Sequence, residues 1–490
     1  MPPPLGKQQL RLDELIAGLA ETRAPVSGAA EGITADSRAV RPGLVFAALP
    51  GLRTDGRAFI PQAVAAGAAA ILAPEGTAWP ENTPARPLLL AADARAALAH
   101  MAARLAGPQP RLIAAITGTN GKTSTADFLR QIFGADRAAS LGTLGLIAPG
   151  FAPGESLTTP DPVTLHATLA ALARAGIDHL AMEASSHGLD QRRLDGVRLR
   201  VAGFTNLTRD HLDYHGDMAA YRAAKLRLFD VLLPECGAGA FSTEADAETQ
   251  AGLRAIAERR HLRLLSVGAE GEDIRLERAT PLADGQTLEL RVFGTAHALH
   301  LPLPGRFQAD NALLAAALAL LSGMEQAAVL DALPRLAGVR GRMELAGRTR
   351  QGAAAYVDYA HTPDALERLL AALRPHAIGR LVCVFGAGGD RDPGKRPLMG
   401  EVVARLADIA IITDDNPRSE NPALIRAAIR AAAPDALEIG DRRAAIAEGL
   451  AMLRPGDVLA VAGKGHESGQ TVAGITTPFD DAAVVRELLA

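Results

Sequence analysis

The sequence is poor in cysteine: only Cys236 and Cys383 occur in 490 residues, and they lie far apart. That excludes a disulfide framework and a cysteine-based zinc motif, and it fits a reducing compartment. Neither sign of charge is in large excess, with 51 Lys and Arg against 55 Asp and Glu and a net charge of -4. Without a basic surplus there is no global attraction for nucleic acid or an anionic membrane, so a phosphate-bearing ligand must be held locally. No long hydrophobic run resembles a membrane span, because the Ala-rich stretches are short or broken by Arg, Asp and Gly. The opening Met1-Pro2-Pro3-Pro4 lacks the basic stretch and apolar segment of a secretion signal. The expectation is a cytoplasmic monomer with no nucleic-acid partner and no stable membrane insertion.

The hydrophobic fraction of 48% is ordinary for a globular protein, and 490 residues exceed what one core serves. Strands separated by helical lengths predict an α/β chain with mostly parallel sheets, whose ligands bind at the strands' carboxyl ends. Strands are predicted at Leu44 to Leu49, Leu112 to Thr117, Leu180 to Met182, Val201 to Thr205, Tyr356 to Asp358, Leu381 to Phe385, Ile409 to Thr413 and Val458 to Ala462. Helices are predicted over Phe59 to Ala68, Ala91 to Leu105, Thr123 to Phe133 and Met218 to Leu232, and β-rich sequence over 262–301. Gly107-Pro108-Gln109-Pro110 punctuates the chain. The expected domains are 1–107, 108–337 and 338–490.

Gly118-Thr119-Asn120-Gly121-Lys122-Thr123 follows an apolar strand and opens a helix, the setting in which backbone amides converge on phosphates. The glycines permit close approach, Lys122 brings positive charge to the β and γ phosphates, and the Thr123 hydroxyl can meet a magnesium ion. The common phosphate-loop pattern puts glycine five residues before Gly121, where Ile116 stands, so this is a compact variant. Glu183 follows a strand beside Ser185, Ser186 and His187, and a second polar group runs from Arg209 to His215. Taken singly each is a solvated or structural group; together, after apolar strands, they suit a hard cation. By spacing alone Lys225 is a surface lysine on a helix.

Thr117 to Ser124, Thr158-Thr159-Pro160, Glu183-Ala184-Ser185-Ser186-His187-Gly188, Asp358-Tyr359-Ala360-His361-Thr362-Pro363-Asp364 and Gly463-Lys464-Gly465-His466-Glu467 together resemble the Mur ligases over essentially the whole chain. The resemblance implies an α/β protein with the three-domain Mur ligase fold: a first domain for the uridine end of the substrate, a central P-loop-like ATPase domain, and a C-terminal Rossmann-like α/β domain for the incoming amino acid. It implies an ATP- and magnesium-dependent ligase of peptidoglycan synthesis, hence of cell wall biogenesis, cell shape and division. The implied reaction adds meso-diaminopimelate to the D-glutamyl carboxylate of UDP-N-acetylmuramoyl-L-alanyl-D-glutamate through an acyl phosphate, releasing ADP and phosphate. The alternatives are a lysine-adding Mur ligase, a folylpolyglutamate synthase and a non-catalytic ATP-binding module.

Carried over residue by residue, the resemblance makes Lys122, Glu183, His211 and Lys225 catalytic, with Thr123, Glu183, His211 and Lys225 around the metal. Lys225 matches a lysine that the family carbamylates. Gly118, Thr119, Asn120, Gly121, Lys122, Thr123, Ser124, Asn311, Arg342, Asp358 and His361 fall on the nucleotide. Ser37, in Asp36-Ser37-Arg38, falls on the uridine side, and Asn120, Thr158, Thr159, Ser185, Gln191 and Arg193 along the sugar, diphosphate and peptide. Three departures stand out: Gln308 where family members often carry asparagine, Ser242-Thr243-Glu244-Ala245-Asp246 for an Asn-Ala-Asp-Asp-like segment, and Gly51-Leu52-Arg53 for Gly-His-Gln. For the amino acid the resemblance implies Arg391, Asp415, Asn416, Pro417, Arg418, Gly463 and Glu467. Arg391 and Arg418 suit the distal carboxylate of meso-diaminopimelate, since each guanidinium can donate two parallel hydrogen bonds, and Glu467 suits its distal ammonium. Lysine lacks that carboxylate and would leave arginine charge poorly matched.

Overall fold

A computed structural model describes residues 9–22, 26–51, 54–134, 136–152, 157–282 and 284–490. Met1-Pro2-Pro3-Pro4 and the Leu52-Arg53 departure lie outside the described residues. The chain divides into two compact units, residues up to 266 with 314–325, and 267–313 with 326–490.

The first unit begins with a sheet in the order Glu21–Thr22, Leu88–Ala91, Ala70–Pro74, Leu44–Ala47, Gly32–Thr34. Its last four strands are parallel and the first is antiparallel. Alternate residues of a strand point to opposite faces. Val45, Leu72 and Leu89 accordingly pack with Leu98, Met101 and Leu105 of the helix Ala94–Ala106, while Phe46, Ile71 and Ala73 pack with Ile60, Ala63 and Val64 of the helix Ile60–Ala65. The latter helix is shorter than its predicted span because Gly67 turns the chain at φ 89°.

Next come the strands Gly145–Ile147, Ala138–Gly142, His179–Glu183, Leu112–Thr117, Val201–Phe204 and Ala238–Ser242, side by side in that order. From Ala138–Gly142 onward neighbours are parallel. Leu112–Thr117 is buried along its whole length, as a central strand covered on both faces must be. The predicted helix from Met218 to Leu232 divides into an α-helix to Arg227 and a π-turn over Leu228–Leu232, where Leu233 N donates to Leu228 O at 3.0 Å. The wider turn lets the consecutive Leu228 and Phe229 both reach full burial.

In the second unit an antiparallel meander, Ile274–Leu282, Gly285–Val292 and Thr295–Leu301, accounts for most of the β-rich stretch. The second sheet runs Glu344–Arg348, Ala354–Asp358, Val458–Ala462, Leu381–Phe385, Ile409–Ile412, Leu437–Glu438, parallel except at the first strand. Helix Pro363–Leu373 presents Leu366, Leu369, Leu370 and Leu373, a one-sided stripe, to one face of it, and Ile446 and Val485 of two later helices cover the other. Each such fully buried leucine contributes roughly 2 kcal/mol of transfer free energy. Cys383 lies inside this sheet, its thiol pushed up to about 12 by burial, whereas Cys236 is exposed in the first unit. No helix among the described residues is long and apolar enough to cross a membrane.

His166 lies on the helix Pro162–Arg174 with Nε2 3.0 Å from Asp195 O, and burial pushes its pKa from 6.5 down to about 4. Because the folded value is depressed, the unfolded chain takes the proton first. The contribution of the neutral ring is complete above the unfolded value and is lost as pH falls toward the folded one. This site alone predicts a loss of about 2 kcal/mol between about pH 7 and pH 5. His166→Gln is expected to flatten that dependence in urea unfolding; a profile parallel to the parent's would dismiss His166 as its source.

Candidate active site

Parallel strands that end together deliver their following loops to one edge. In the first unit Ile116 is in register with Glu183, and Thr117 with Phe204. The glycine loop, Glu183 and the segment from Thr205 therefore leave the sheet side by side. The loop is bound to that segment: Thr119 N donates to Asn206 O (2.8 Å), Asn120 N to Asn206 Oδ1 (3.0 Å), Thr205 Oγ1 to Asn120 O (2.6 Å) and Thr208 N to Thr119 Oγ1 (3.0 Å). Gly118 sits at φ 137°, where a Cβ would lie 1.9 Å from Thr205 Oγ1, so no other residue fits without displacing the interlock. Gly121, at φ 83°, caps the helix Lys122–Phe133, whose first N–H groups, including those of Thr123 and the buried Ser124, face an incoming anion.

Lys122 Nζ bends back to Gly118 O (3.1 Å) and Thr119 O (2.8 Å). Lys225, read from spacing as a surface lysine, is 1% exposed, and its Nζ donates to the same Gly118 O at 2.6 Å. The reading fails because helix Met218–Arg227 packs its Lys225 face inward, with Nζ 4.5 Å from the Tyr221 ring. Burial, then the charge of Lys122, lowers the Lys225 pKa well below the ordinary 10.5. Tyr221 in turn hydrogen-bonds Thr119 Oγ1 (3.2 Å), and burial pushes its phenol up to about 12.

Glu183 is buried, with Oε1 accepting from Thr123 Oγ1 (2.9 Å) and Thr143 N (2.7 Å) and Oε2 from Thr143 Oγ1 (3.3 Å). Gly142 makes room, since a Cβ there would lie 2.1 Å from Glu183 Oε1. The hydroxyl of Thr123 and the carboxylate of Glu183 are hard oxygen donors that suit magnesium, which takes one or two carboxylates and completes its shell with phosphate and water. Among the described residues no group of three or more His, Cys, Asp and Glu could hold a metal by itself, so such a cation would depend on ligand oxygens. His211, at φ 54°, starts a short helix with its ring 4.9 Å from that of His187 and 6.2 Å from Tyr221. His187 and His215 (ring centroids 5.5 Å apart) both have pKa values pushed down by burial; the neighbouring His211 adds to this for His187, whereas Asp190 partly opposes it for His215.

Thr158, Thr159, Ser185, Gln191 and Arg193 form one network beside Glu183. Thr159 Oγ1 donates to Glu183 O (3.0 Å) and accepts from Ser185 N and Oγ (both 3.0 Å), while Thr143 and Thr158 hydroxyls meet at 3.1 Å. Arg193 donates to Thr159 O (2.7 Å) and Gln191 Oε1 (2.8 Å), and Gln191 reaches Tyr214 OH (3.1 Å). Ser37 lies in a short turn capped by Asp36, which accepts from Arg38 N at 3.0 Å; Asp55-Gly56-Arg57 repeats that arrangement at 2.9 Å. In the Ser242 to Asp246 segment, Asp246 caps the helix Ala247–Arg260 and pairs with Arg222.

In the second unit Asn311 Nδ2 donates to Gln308 Oε1 (3.3 Å), and Gln308 Nε2 to Arg342 O (3.3 Å). Gln308, one of the departures, thus ties two of the expected nucleotide residues together. The Arg342 guanidinium lies over the Tyr359 ring at 4.7 Å, and His361 Nδ1 is 2.8 Å from Tyr359 O. Asp358 accepts from Met343 N (2.7 Å) and Ala360 N (2.8 Å), yet burial raises its pKa.

The expected amino-acid residues lie after the strands Leu381–Phe385, Ile409–Ile412 and Val458–Ala462. Asp415 and Asn416 are buried, and Gly389 N donates to Asn416 O (2.9 Å), where a Cβ on Gly389 would lie 1.9 Å from Pro417 O. Arg418, at φ 52°, is half-buried and donates through Nη1 to Gly389 O (2.6 Å). Arg391 is exposed and makes no hydrogen bond among the described residues. Gly463 faces Asp415 Oδ2, 2.3 Å from where its Cβ would be, and Glu467 accepts from Asn416 Nδ2 at 2.8 Å. Sequence reading assigned no role to Thr143, Asn206 or Lys464, although Lys464 stands within one of the motifs that carry the resemblance; the signal for Asn206 was its place at a strand end.

Three models of one family match the chain: the Mur ligase family, catalytic domain over residues 30–106, the Mur ligase middle domain over 116–319, and the Mur ligase, glutamate ligase domain over 341–465. The UDP-N-acetylmuramoyl-L-alanyl-D-glutamate--2,6-diaminopimelate ligase of Caulobacter vibrioides is 55% identical over 469 residues, covering 94% of this chain and 95% of its own. The ligase of the same name from Zymomonas mobilis is 46% identical, covering 93% and 94%. A solved structure of a ligase of that name superposes with a TM-score of 0.75 at 32% identity, covering 98% of this chain and 99% of its own. MurF from Thermotoga maritima in complex with ADP shares the fold at a TM-score of 0.60 and 20% identity.

Gly142→Ala is expected to push the Glu183 carboxylate off Thr123 while the sheet stays intact. Magnesium-dependent binding of an ATP analogue should weaken by about tenfold or more, as for loss of a group that orients a metal ligand. Fluorescence titration with and without magnesium checks this, and unchanged magnesium dependence would refute the assignment.

Proposed function

The chain belongs to the Mur ligase family, and from that premise we propose that it joins meso-2,6-diaminopimelate to UDP-N-acetylmuramoyl-L-alanyl-D-glutamate at the expense of ATP. The observation that carries this reading is the 55% identity to the Caulobacter ligase over almost the whole of both chains. The proposed domain boundaries are 1–107, 108–337 and 338–490, and the proposed location is the cytoplasm, where peptidoglycan precursors and ATP are supplied.

In this reading the D-glutamyl γ-carboxylate attacks the γ-phosphorus of ATP and ADP departs. An amine of diaminopimelate then attacks the acyl carbon, loses a proton and expels phosphate, leaving an amide. The glycine loop and the first turn of helix Lys122–Phe133 hold the phosphates by N–H groups, and Lys122 exchanges its loop carbonyls for phosphate oxygens. Thr123, Glu183 and His211 would hold magnesium, which when bound neutralises phosphoryl charge. Lys225 belongs to this set as a carbamate. The only hydrogen bond of its ammonium among the described residues goes to a carbonyl it shares with Lys122, so two buried or half-buried cations crowd one oxygen. A carbamate at Nζ turns that repulsion into attraction. Thr158, Thr159, Ser185, Gln191 and Arg193 line up the UDP-linked peptide, and Asn311, Arg342, Asp358 and His361 belong to the nucleotide.

Arg391, Arg418, Asn416 and Glu467 select the amino acid. Arg418 leaves most of its guanidinium donors available beyond its one bond to Gly389 O, and a second carboxylate on the ligand answers them. Purified protein given ATP, magnesium, the UDP-dipeptide and either meso-diaminopimelate or L-lysine should form the diaminopimelate amide by mass, with ADP release dependent on all substrates. Preferential lysine product would overturn the specificity. Arg418→Ala should raise KM for diaminopimelate by about tenfold or more, the loss of one charge-assisted pair, with KM for ATP little changed.

A further inference from the structure

Lys464 is 0% exposed, and none of the roles above uses it. A buried ammonium is costly unless its N–H groups are answered. Its Nζ donates to Asn416 Oδ1 at 3.0 Å and to Glu467 Oε2 at 3.3 Å. Thr471 N also donates to Asn416 Oδ1, at 3.0 Å, so two donors converge on one amide oxygen. A flipped amide would set its NH2 group against an ammonium and a backbone N–H, both donors, and the flip is therefore excluded. Asn416 Nδ2 is in consequence aimed at Glu467 Oε2, 2.8 Å away. That oxygen is held by two donors. The other, Oε1, accepts no hydrogen bond among the described residues, on a side chain that stays 33% exposed.

We propose that Lys464 is a positioning residue for amino-acid selection: it locks the Asn416 amide and anchors one oxygen of Glu467, so that the free oxygen stands at a fixed place for the ligand's distal ammonium. This rests on the assignment of Asn416 and Glu467 to the amino-acid pocket. A carboxylate free to swing would meet an ammonium at several depths and would accept diamino acids of other chain lengths more readily. Anchoring turns a charge into a measure of distance. Lys464 does not touch the ligand in this scheme; it acts through Asn416 and Glu467 alone.

A double-mutant cycle of Lys464→Met and Glu467→Gln tests this in the full-length enzyme. K464M should raise KM for meso-diaminopimelate about tenfold or more, while KM for ATP and for the UDP-dipeptide moves less than about twofold. In the E467Q background the same change should add less than about threefold, because the group it acts through is gone. Equal factors in both backgrounds, or KM values of all three substrates rising together, would overturn the proposal and mark Lys464 as structural. If K464M does not accumulate as folded protein, Lys464→Gln, which removes the charge and keeps an N–H donor, enters the same cycle. Failure of the unaltered enzyme to make the diaminopimelate amide would sink the function itself, an outcome separate from either result for Lys464.

Discussion

The first-unit site depends on the interlock between the glycine loop and the chain that leaves the neighbouring strand. Loops rich in glycine are entropically reluctant to hold one shape. Here the shape comes from outside the loop: Thr205, Asn206 and Thr208 supply or receive the hydrogen bonds that fix Thr119 and Asn120. The same segment runs on to His211 and then to the helix bearing Tyr221 and Lys225. Fixing the loop against it sets the spacing between the phosphate-binding amides and two of the proposed metal-side groups. Glu183 joins from the opposite neighbour of the same strand.

In the second unit a comparable task falls to a buried ion pair. Arg442 and Asp481, both 0% exposed, share two hydrogen bonds of 2.7 Å, and the same guanidinium reaches Ala462 O (3.0 Å) and Asp414 O (3.4 Å). Those carbonyls immediately precede Gly463 and Asp415. Such a pair adds little net stability against an apolar replacement, because desolvation offsets attraction. What it supplies is direction: the rigid fork of one arginine sets the separation of two strand ends and so of the loops that follow them.

How much was legible in the sequence follows from the range of each interaction. The glycine loop, the strand before it and the helix after it are local patterns, and they stand where the residues placed them, as do the parallel sheets. Spacing alone made Lys225 a surface residue, and only the family resemblance singled it out, because its ammonium is answered by Gly118, 107 positions away. Thr143 holds Glu183 across 40 positions, and Lys464 meets Asn416 across 48, with no periodicity to announce either. Gln308 shows the converse. As a departure from the family pattern it reads as a loss, yet the longer amide bridges Asn311 and Arg342. Side-chain length and reach, not residue class, decided that position.

The scarcity of cysteine has a practical side. Cys383 is sealed within a sheet with its thiol kept protonated, while Cys236 stands in the open. Since the thiolate is the reacting form, maleimide chemistry on the native fold distinguishes the two without mutagenesis. The wild-type chain is in effect a single-thiol protein, ready to carry one fluorophore or spin label at a known address in its first unit.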